Sequence, residues 1–196
     1  MNVTYNNSLA AGDVYLVRHG ATDWSKSGRH TGRTDLSLDE DGVEAAKSLK
    51  TKLGHIEFKY VFTSPLKRAV TTCELAGYGT KAIRNDDLME WDYGDYEGLT
   101  KSEIQNIEPG WDVYDHGAKG GEAPMQVVKR CQSFLTEIKD LEKPIAVFSH
   151  SHLLRSLATV FIDTDIKFAQ KIQMDTARVS VLAKSPLGGM IISWNV

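Results

Sequence analysis

The segment Val14-Tyr15-Leu16-Val17-Arg18-His19-Gly20 decides how the rest of the chain can fold. Its first four residues are apolar, and three of them are β-branched or aromatic, which favours a buried strand. The strand stops abruptly, so Arg18 and His19 lie at its C-terminal end. Ligands of open α/β sheets bind at that end, and an arginine beside a histidine favours an anion. On these residues alone a second interpretation stays open, in which a buried strand simply ends in polar residues that reach solvent.

A later segment repeats this pattern of an apolar strand that ends in histidine. Residues 144–148 (Pro-Ile-Ala-Val-Phe) are typical of a buried strand, and residues 149–152 (Ser-His-Ser-His) end it. In a parallel sheet the carboxyl ends of neighbouring strands meet at one edge. We therefore expect His19 and His150 to reach the same edge.

Short apolar runs alternate with amphipathic helices along the chain, which predicts an α/β fold. We expect strands at about 13–17, 60–62, 82–83, 144–148, 179–183 and 190–194, and helices at about 39–54, 65–77, 100–107, 123–141 and 153–162. Residues 21–38 and 109–122 are rich in glycine and polar residues and predict loops. The expected architecture is a three-layer α/β/α sandwich with a mostly parallel, mixed central sheet. Residues 1–196 are expected to form one domain, with 1–12 as a loose leader.

Composition excludes several classes of protein. The formal net charge is −3 and the pI is near 6.1, which argues against a nucleic-acid partner. The sequence contains no apolar run long enough to span a bilayer and no signal-peptide pattern, so we expect a cytoplasmic protein without a membrane partner. Cys73 and Cys131 lack metal-ligand spacing and are expected to be free buried thiols. The sequence leaves the oligomeric state open between monomer and homodimer.

Five residues at predicted loops or helix starts suit phosphoryl transfer without a metal or other cofactor. Arg18 and Arg68 offer guanidinium clamps for phosphate oxygens, and His150 adds a further donor. A neutral His19 can attack phosphorus, and Glu90 is the best candidate for the acid that protonates the leaving oxygen. Each has an ordinary alternative, since an arginine in a first helical turn is usually solvated and a loop carboxylate often caps a helix or forms an ion pair.

Four segments carry a resemblance to a known family. They are LVRHGATDW (16–24), TSPLKRAVTT (63–72), EWDYGDYEG (90–98) and FSHSHLLR (148–155). In this order they resemble the RHG signature, the second arginine segment, the acid-bearing loop and the second-histidine segment of the histidine phosphatase superfamily. The resemblance is to the branch of that superfamily that also contains the cofactor-dependent phosphoglycerate mutases. The resemblance implies a phosphoglycerate mutase-like fold.

The resemblance also implies roles for single residues. His19 becomes the phosphorylated nucleophile, Arg18, Arg68 and His150 the phosphate pocket, and Glu90 the proton donor and later the base that activates water. Loop residues would complete the phosphate site at Ser25, Thr31 and Gly32. Ser25 stands where the mutases commonly carry asparagine.

The stretch after the acid loop favours hydrolysis over mutase activity. Mutases of this family typically carry a longer, basic insert there, whereas residues 94–122 are short and acidic. The segments WSKSGRHTGRTDL (24–36), EWDYGDYEG and HSHLLR (150–155) look similar to the sedoheptulose-bisphosphatase-like branch, which implies a small phosphorylated metabolite such as a sugar phosphate or bisphosphate. The residues expected to line its alcohol part are His30, Tyr93, Ser151, His152 and Arg155. A phosphoglycerate mutase-type phosphotransferase and a non-catalytic phosphate-binding module are the alternatives.

Overall fold

The computed structural model describes residues 12–196, so all but the last residue of the predicted leader lies outside the described residues. The strands are β1 (Val14–Arg18), β2 (Tyr60–Thr63), β3 (Ala82–Arg84), β4 (Ile145–Ser149), β5 (Val179–Ser185) and β6 (Gly188–Ser193). The α-helices are α1 (Asp23–Lys26), α2 (Glu40–Leu53), α3 (Lys67–Leu75), α4 (Lys101–Ile107), α5 (Val113–His116), α6 (Pro124–Ile138) and α7 (Ser151–Phe161). Short 3₁₀ helices cover Gly79–Lys81, Asp86–Leu88, Gly94–Tyr96 and Ile166–Lys171.

The six strands form one mixed sheet in the order β3-β2-β4-β1-β5-β6. Strands β3, β2, β4 and β1 pair in parallel, whereas β5 runs antiparallel to β1 and β6 antiparallel to β5. Arg18 stands opposite Ser149 in the register of β1 and β4, and the His19 N–H donates to the Ser149 carbonyl at 3.0 Å. The expectation that the two histidine-ended strands meet at one edge is confirmed.

Helices cover both faces of this sheet. Along β1, Val14 and Leu16 belong to a core cluster with α6 and α7, while Tyr15 and Val17 belong to a second cluster with α2 and α3. Successive strand residues point to opposite faces, so burial of both faces explains why residues 14–17 of β1 and 145–148 of β4 are all apolar, rather than every second one. The predicted three-layer α/β/α sandwich is confirmed.

Two short helices lie inside stretches that the sequence predicts as loops. Thr22 caps α1, where its hydroxyl accepts the Ser25 N–H, and Asp112 caps α5, where its carboxylate accepts the Tyr114 N–H. A helix of four residues is about one turn and cannot show the repeating apolar stripe that marks longer helices. Their only local signal is the capping side chain.

The predicted starts of two helices are wrong by two residues. Helix α3 begins at Lys67 rather than Pro65, because the Leu66 N–H donates to Ser64 Oγ and Leu66 keeps an extended backbone. Helix α7 begins at Ser151 rather than at Leu153, which makes His150 its N-cap residue. Both shifts concern the junctions that hold the site. Asp39 caps α2, since its carboxylate accepts the Gly42 N–H at 2.7 Å.

Cys73 and Cys131 are free and buried, as predicted, and burial raises the pKa of each thiol to about 12. Within residues 12–196 no helix is long and apolar enough to cross a membrane. The same residues include no group of three or more histidine, cysteine or acidic side chains arranged to hold a metal ion.

Candidate active site

A cleft of about 160 Å³ opens at the C-terminal ends of β1 and β4. Its lining residues are Arg18, His19, Ser25, Gly28, Arg29, His30, Thr31, Glu90, Tyr93, Ser151 and His152. Most of the residues that the sequence predicts for the site therefore come together here. Four of the predicted residues, Gly32, Arg68, His150 and Arg155, are absent from this lining.

His19 is held in one orientation with one ring nitrogen left free. Its Nδ1 lies 2.7 Å from the Gly20 carbonyl, which can only accept, so Nδ1 carries the hydrogen and Nε2 keeps its lone pair. Burial lowers the pKa of His19 well below 6.5, and the Arg18 and Arg68 charges lower it further. A neutral imidazole with an unprotonated Nε2 is the form that can attack an electrophile.

The backbone beside His19 requires glycine. A Cβ atom at Gly20 would overlap the carbonyl of Gly42 near the start of α2. The Gly20 N–H also donates to Thr72 Oγ1 on α3 at 3.0 Å. These contacts fix the turn that aims the imidazole into the cleft.

Arg18 places a positive charge beside this imidazole. Its Nη1 donates to the Met174 carbonyl at 2.6 Å, while its Nε is buried and has no hydrogen-bond partner in the described part of the chain. Burial lowers the pKa of Arg18, and the charges of Glu90 and Asp175 act in the opposite direction. A buried guanidinium N–H without a partner at a cleft is suited to an oxygen atom of an anionic ligand.

Glu90 lies 4% exposed at the N-terminus of α7. Its Oε1 accepts the Trp91 and Leu153 N–H groups at 3.0 and 2.9 Å, and its Oε2 accepts the His152 N–H at 3.1 Å. Glu90 thus engages the backbone N–H groups of His152 and Leu153 in the first turn of α7. The carboxylate borders the same cleft as His19.

Arg68 and His150 form a fully buried layer behind His19 instead of lining the cleft. Arg68 Nε donates to His150 Nδ1 at 3.1 Å, so in the neutral ring Nε2 carries the hydrogen and donates to Ser64 Oγ at 2.8 Å. Burial lowers the pKa of His150 well below 6.5, and the Arg68 charge adds to this. The imidazoles of His19 and His150 stand with their centroids 5.2 Å apart.

The remaining nitrogens of Arg68 hold the loop that precedes α2. Nη1 donates to the Thr34 carbonyl at 2.9 Å, and Nη2 donates to those of Thr31 and Gly32 at 3.0 and 2.8 Å. From the other side, Glu97 Oε1 accepts the Gly32 and Thr34 N–H groups at 2.8 and 3.0 Å. The expected direct clamp by Arg68 is not the arrangement found, because each of its nitrogens already donates to a protein acceptor.

Three aromatic side chains form one wall of the cleft. The rings of His30 and His152 lie 5.9 Å apart at an angle of 18°, and the Tyr93 ring meets both edge-on. The Tyr93 hydroxyl lies 2.6 Å from His152 Nδ1, and His30 Nδ1 lies 2.8 Å from the Leu99 carbonyl. All three line the cleft, as predicted from the sequence.

A family model described as histidine phosphatase superfamily (branch 1) matches residues 14–196. The chain belongs to this superfamily. The resemblance of the four sequence segments is thereby confirmed, and the histidine phosphatase fold is the one seen in the six-stranded sheet and its two helical layers.

Relatives of this histidine phosphatase include enzymes named as phosphatases. An acid phosphatase of Mycobacterium tuberculosis is 35% identical over 172 residues, which cover 86% of this chain and 84% of the relative. Sedoheptulose 1,7-bisphosphatase of Saccharomyces cerevisiae is 32% identical over 184 residues, which cover 78% and 68%. The solved structure of an open-reading-frame product from M. tuberculosis matches with a TM-score of 0.90 and 31% identity, and covers 95% of this chain and 98% of that one.

Two residues expected to contact the substrate, Arg155 and Ser25, make hydrogen bonds to the protein instead. Arg155 does not reach the cleft, because its Nε and Nη2 donate to the Ala169 carbonyl at 2.9 and 2.7 Å and its guanidinium stacks over the Tyr114 ring. Ser25 does line the cleft, but its hydroxyl donates to the Thr22 carbonyl at 2.9 Å in the cap of α1.

Sequence reasoning missed two lining residues and one supporting ion pair. Gly28 and Arg29 precede His30 in the cleft wall, and Arg29 Nη1 donates to the Gly98 carbonyl at 2.7 Å. Arg130 and Glu122 form a bidentate pair beneath the loop that carries Glu90. The glycine and arginine immediately before His30 were a local signal, whereas nothing in the sequence pattern indicated the pair between 122 and 130.

Proposed function

We propose that the chain is a metal-independent phosphomonoester hydrolase that acts through a phosphohistidine intermediate on small phosphorylated metabolites. The observation that carries the proposal is His19, whose Nδ1 is fixed on the Gly20 carbonyl while Nε2 is unprotonated at a cleft shared with Arg18 and Glu90. Membership of the histidine phosphatase superfamily and relatives named as phosphatases support it.

In the first step His19 Nε2 forms a bond to phosphorus while the bond from phosphorus to the ester oxygen breaks. Arg18 Nε–H donates to an oxygen of the phosphoryl group, whose negative charge it stabilises. Glu90 gives a proton to the leaving oxygen, so the alcohol departs neutral. Arg68 and His150 have supporting roles: the His150 ring packs against that of His19, and Arg68 holds both His150 and the loop at 31–34.

In the second step Glu90, now a carboxylate, accepts a proton from water. The water oxygen bonds to phosphorus, the bond from phosphorus to Nε2 breaks, and inorganic phosphate leaves. Glu90 then holds the proton that the next substrate needs, so one carboxyl group serves both steps.

We infer a sugar phosphate or bisphosphate as the substrate class. Support comes from the neutral polar wall of His30, Tyr93 and His152 and from the sedoheptulose bisphosphatase among the relatives. Substrates rich in hydroxyl groups need such hydrogen-bond partners when they are buried.

The test is release of phosphate from p-nitrophenyl phosphate and from a panel of sugar phosphates, all with EDTA present. We expect turnover by the purified protein and a fall of at least about 10³-fold in His19→Ala, because the nucleophile is removed. Rapid denaturing quench of the native protein at alkaline pH, where the bond from phosphorus to nitrogen survives, should trap one phosphoryl group on the peptide that contains His19. His55→Ala is the matched control, since this histidine is exposed and lies outside the cleft.

Four outcomes would overturn the hydrolase proposal. Full activity in His19→Ala would exclude the nucleophile, and loss of activity with EDTA would exclude the metal-independent route. Interconversion of phosphoglycerate isomers without phosphate release would show a mutase. Tight binding of phosphate esters without any turnover would show a binding module.

A further inference from the structure

The wall formed by Tyr93, His152 and His30 has no part in the phosphoryl steps proposed above. Its rings are nevertheless fixed on several sides, since Trp111 also meets His30 edge-on at 5.3 Å. In His30 and His152 the Nδ1 atom faces the protein and is hydrogen-bonded. The Nε2 atom of each ring has no hydrogen-bond partner within residues 12–196. The two free nitrogens are therefore available to a ligand in the cleft.

Tyr93 sets the position of the hydrogen on His152. Burial raises the pKa of Tyr93 well above 10, so its hydroxyl keeps its hydrogen, and burial lowers the pKa of His152 well below 6.5. His152 Nδ1, at 2.6 Å, is the acceptor within reach of that hydroxyl among the described residues. Nδ1 therefore accepts, and the single ring hydrogen lies on Nε2.

His30 has the opposite arrangement. Its Nδ1 faces the Leu99 carbonyl at 2.8 Å, and a carbonyl can only accept, so Nδ1 carries the hydrogen. Burial lowers the pKa of His30, which favours the neutral ring with a lone pair on Nε2. The two stacked imidazoles thus offer the cleft one N–H donor, on His152, beside one acceptor, on His30.

We propose that the His30–His152 pair determines specificity by binding hydroxyl groups on the carbons next to the scissile ester. A hydroxyl donates and accepts, so adjacent hydroxyls can satisfy both nitrogens, whereas an ionised carboxylate only accepts and leaves the His30 lone pair unsatisfied. Among the described residues, Arg155 Nε and Nη2 donate to the Ala169 carbonyl, and Arg29 Nη1 donates to the Gly98 carbonyl and to Glu103, so these two cations already have protein acceptors. This inference rests on the proposed hydrolase function and narrows its substrate class to polyol phosphates.

Three esters that differ only in the alcohol test this pair. Glycerol 1-phosphate carries two adjacent hydroxyls, 3-phosphoglycerate replaces one hydroxymethyl group by a carboxylate, and n-propyl phosphate has no hydroxyl. We expect kcat/KM for glycerol 1-phosphate to exceed that for each of the others by at least about tenfold, since sites built to bind a hydroxyl reject analogues that lack it. p-Nitrophenyl phosphate reports whether the phosphoryl chemistry works at all.

Variants locate the preference. His30→Phe keeps a ring but removes the acceptor, and should reduce the ratio between glycerol 1-phosphate and n-propyl phosphate to below about threefold. Tyr93→Phe keeps the packing but frees the tautomer of His152, and should lower the same ratio mainly through KM. His55→Phe, the same replacement at an exposed histidine outside the cleft, is the matched control and should leave kcat/KM for every ester, and therefore the ratio, unchanged.

The outcomes separate this inference from the function on which it rests. Suppose that the protein hydrolyses p-nitrophenyl phosphate but shows equal kcat/KM for the three esters, or that folded His30→Phe keeps the ratio between glycerol 1-phosphate and n-propyl phosphate. Either result would contradict the role of the His30–His152 pair without contradicting the hydrolase function. Absence of phosphate release from every ester would overturn both. The ratio in the native protein is decisive even if a variant fails to fold.

Discussion

At the scale of single residues, the two oxygens of Glu90 are not equivalent. Within residues 12–196, Oε1 accepts two N–H groups, from Trp91 and Leu153, whereas Oε2 accepts one, that of His152. An oxygen with both acceptor positions filled has no room for a proton. Oε2 is therefore the atom that we expect to carry the proton to the leaving oxygen.

Glu90→Gln tests this role. An amide cannot donate a proton to the leaving group, so turnover of alkyl phosphates should fall by about 10² to 10⁴-fold. The rate of phosphoryl transfer from p-nitrophenyl phosphate to His19 should fall less, because p-nitrophenolate can leave without being protonated. The phosphohistidine should then accumulate, because no base activates water, and rapid quench can measure it.

The matched control is Glu97→Gln. Glu97 also accepts two backbone N–H groups, from Gly32 and Thr34, but does not line the cleft. The Glu97→Gln variant should lower the turnover of esters with good and with poor leaving groups by the same factor. Equal slowing of both classes in Glu90→Gln would argue against the acid role.

At the scale of secondary-structure elements, α6 holds the loop that carries Glu90. Arg130 Nη1 on this helix donates to the carbonyls of Asp87 and Met89, at 2.7 and 2.9 Å, just before Glu90. Its other nitrogens pair with Glu122, whose Oε2 accepts the Asp92 N–H at 2.9 Å just after Glu90. One largely buried ion pair thus fixes both sides of the loop.

Arg130→Met should therefore affect stability and catalysis together. Glu122, whose side chain is 13% exposed, would lose its bidentate partner, and we expect the free energy of unfolding to fall by about 3 kcal/mol, as measured by chemical denaturation. Turnover of alkyl phosphates should fall more than that of p-nitrophenyl phosphate, because Glu90 loses its position. Addition of Glu122→Gln should restore part of the stability. Lys129→Met is the control, because Lys129 is exposed on the same helix. An equal loss of stability and turnover in Lys129→Met would contradict the role of the Arg130–Glu122 pair.

Element prediction from sequence succeeded where burial repeats along the chain. The apolar runs of β1 and β4 and the apolar stripe of α6 predict their elements, because each pattern reports directly which faces are buried. Helices α1 and α5 were missed because four residues carry no periodicity, and the start of α3 was displaced because Pro65 is equally compatible with the turn before a helix.

At the scale of the whole molecule, the location of the site could be predicted but not the connections among its residues. His19 and Arg18 follow from one strand end, and the strand topology adds His150. The Arg68 guanidinium donates to His150 and to carbonyls of the loop at 31–34, and this arrangement depends on a contact between α3 and a loop distant in the sequence. Such a contact leaves no periodic signal in the sequence, and the same holds for the diversion of Arg155 to Ala169.

The fold also keeps several imidazoles neutral at its centre, which couples stability to pH. The pKa values of His19, His150 and His152 are held well below 6.5, chiefly by burial, and in the unfolded chain each returns to its ordinary value. Below about pH 7 the unfolded state therefore binds more protons than the folded state. By linkage, the free energy of unfolding must decrease as the pH falls through the unfolded value, and level off only below the folded values.

Chemical denaturation at several values from about pH 7.5 to 5.5 measures this coupling. Each histidine should contribute a slope of up to about 1.4 kcal/mol per pH unit. The carboxyl groups with lowered pKa, such as Asp39 and Asp175, lose their stabilising effect only as the pH falls below about 4, so this window isolates the histidines. His152→Asn should flatten the curve, because one proton difference disappears while the Glu90 contact to the backbone N–H is kept. A free energy of unfolding that stays constant across the window would show that these imidazoles are protonated equally in both states, and the neutral nucleophile would lose its structural basis.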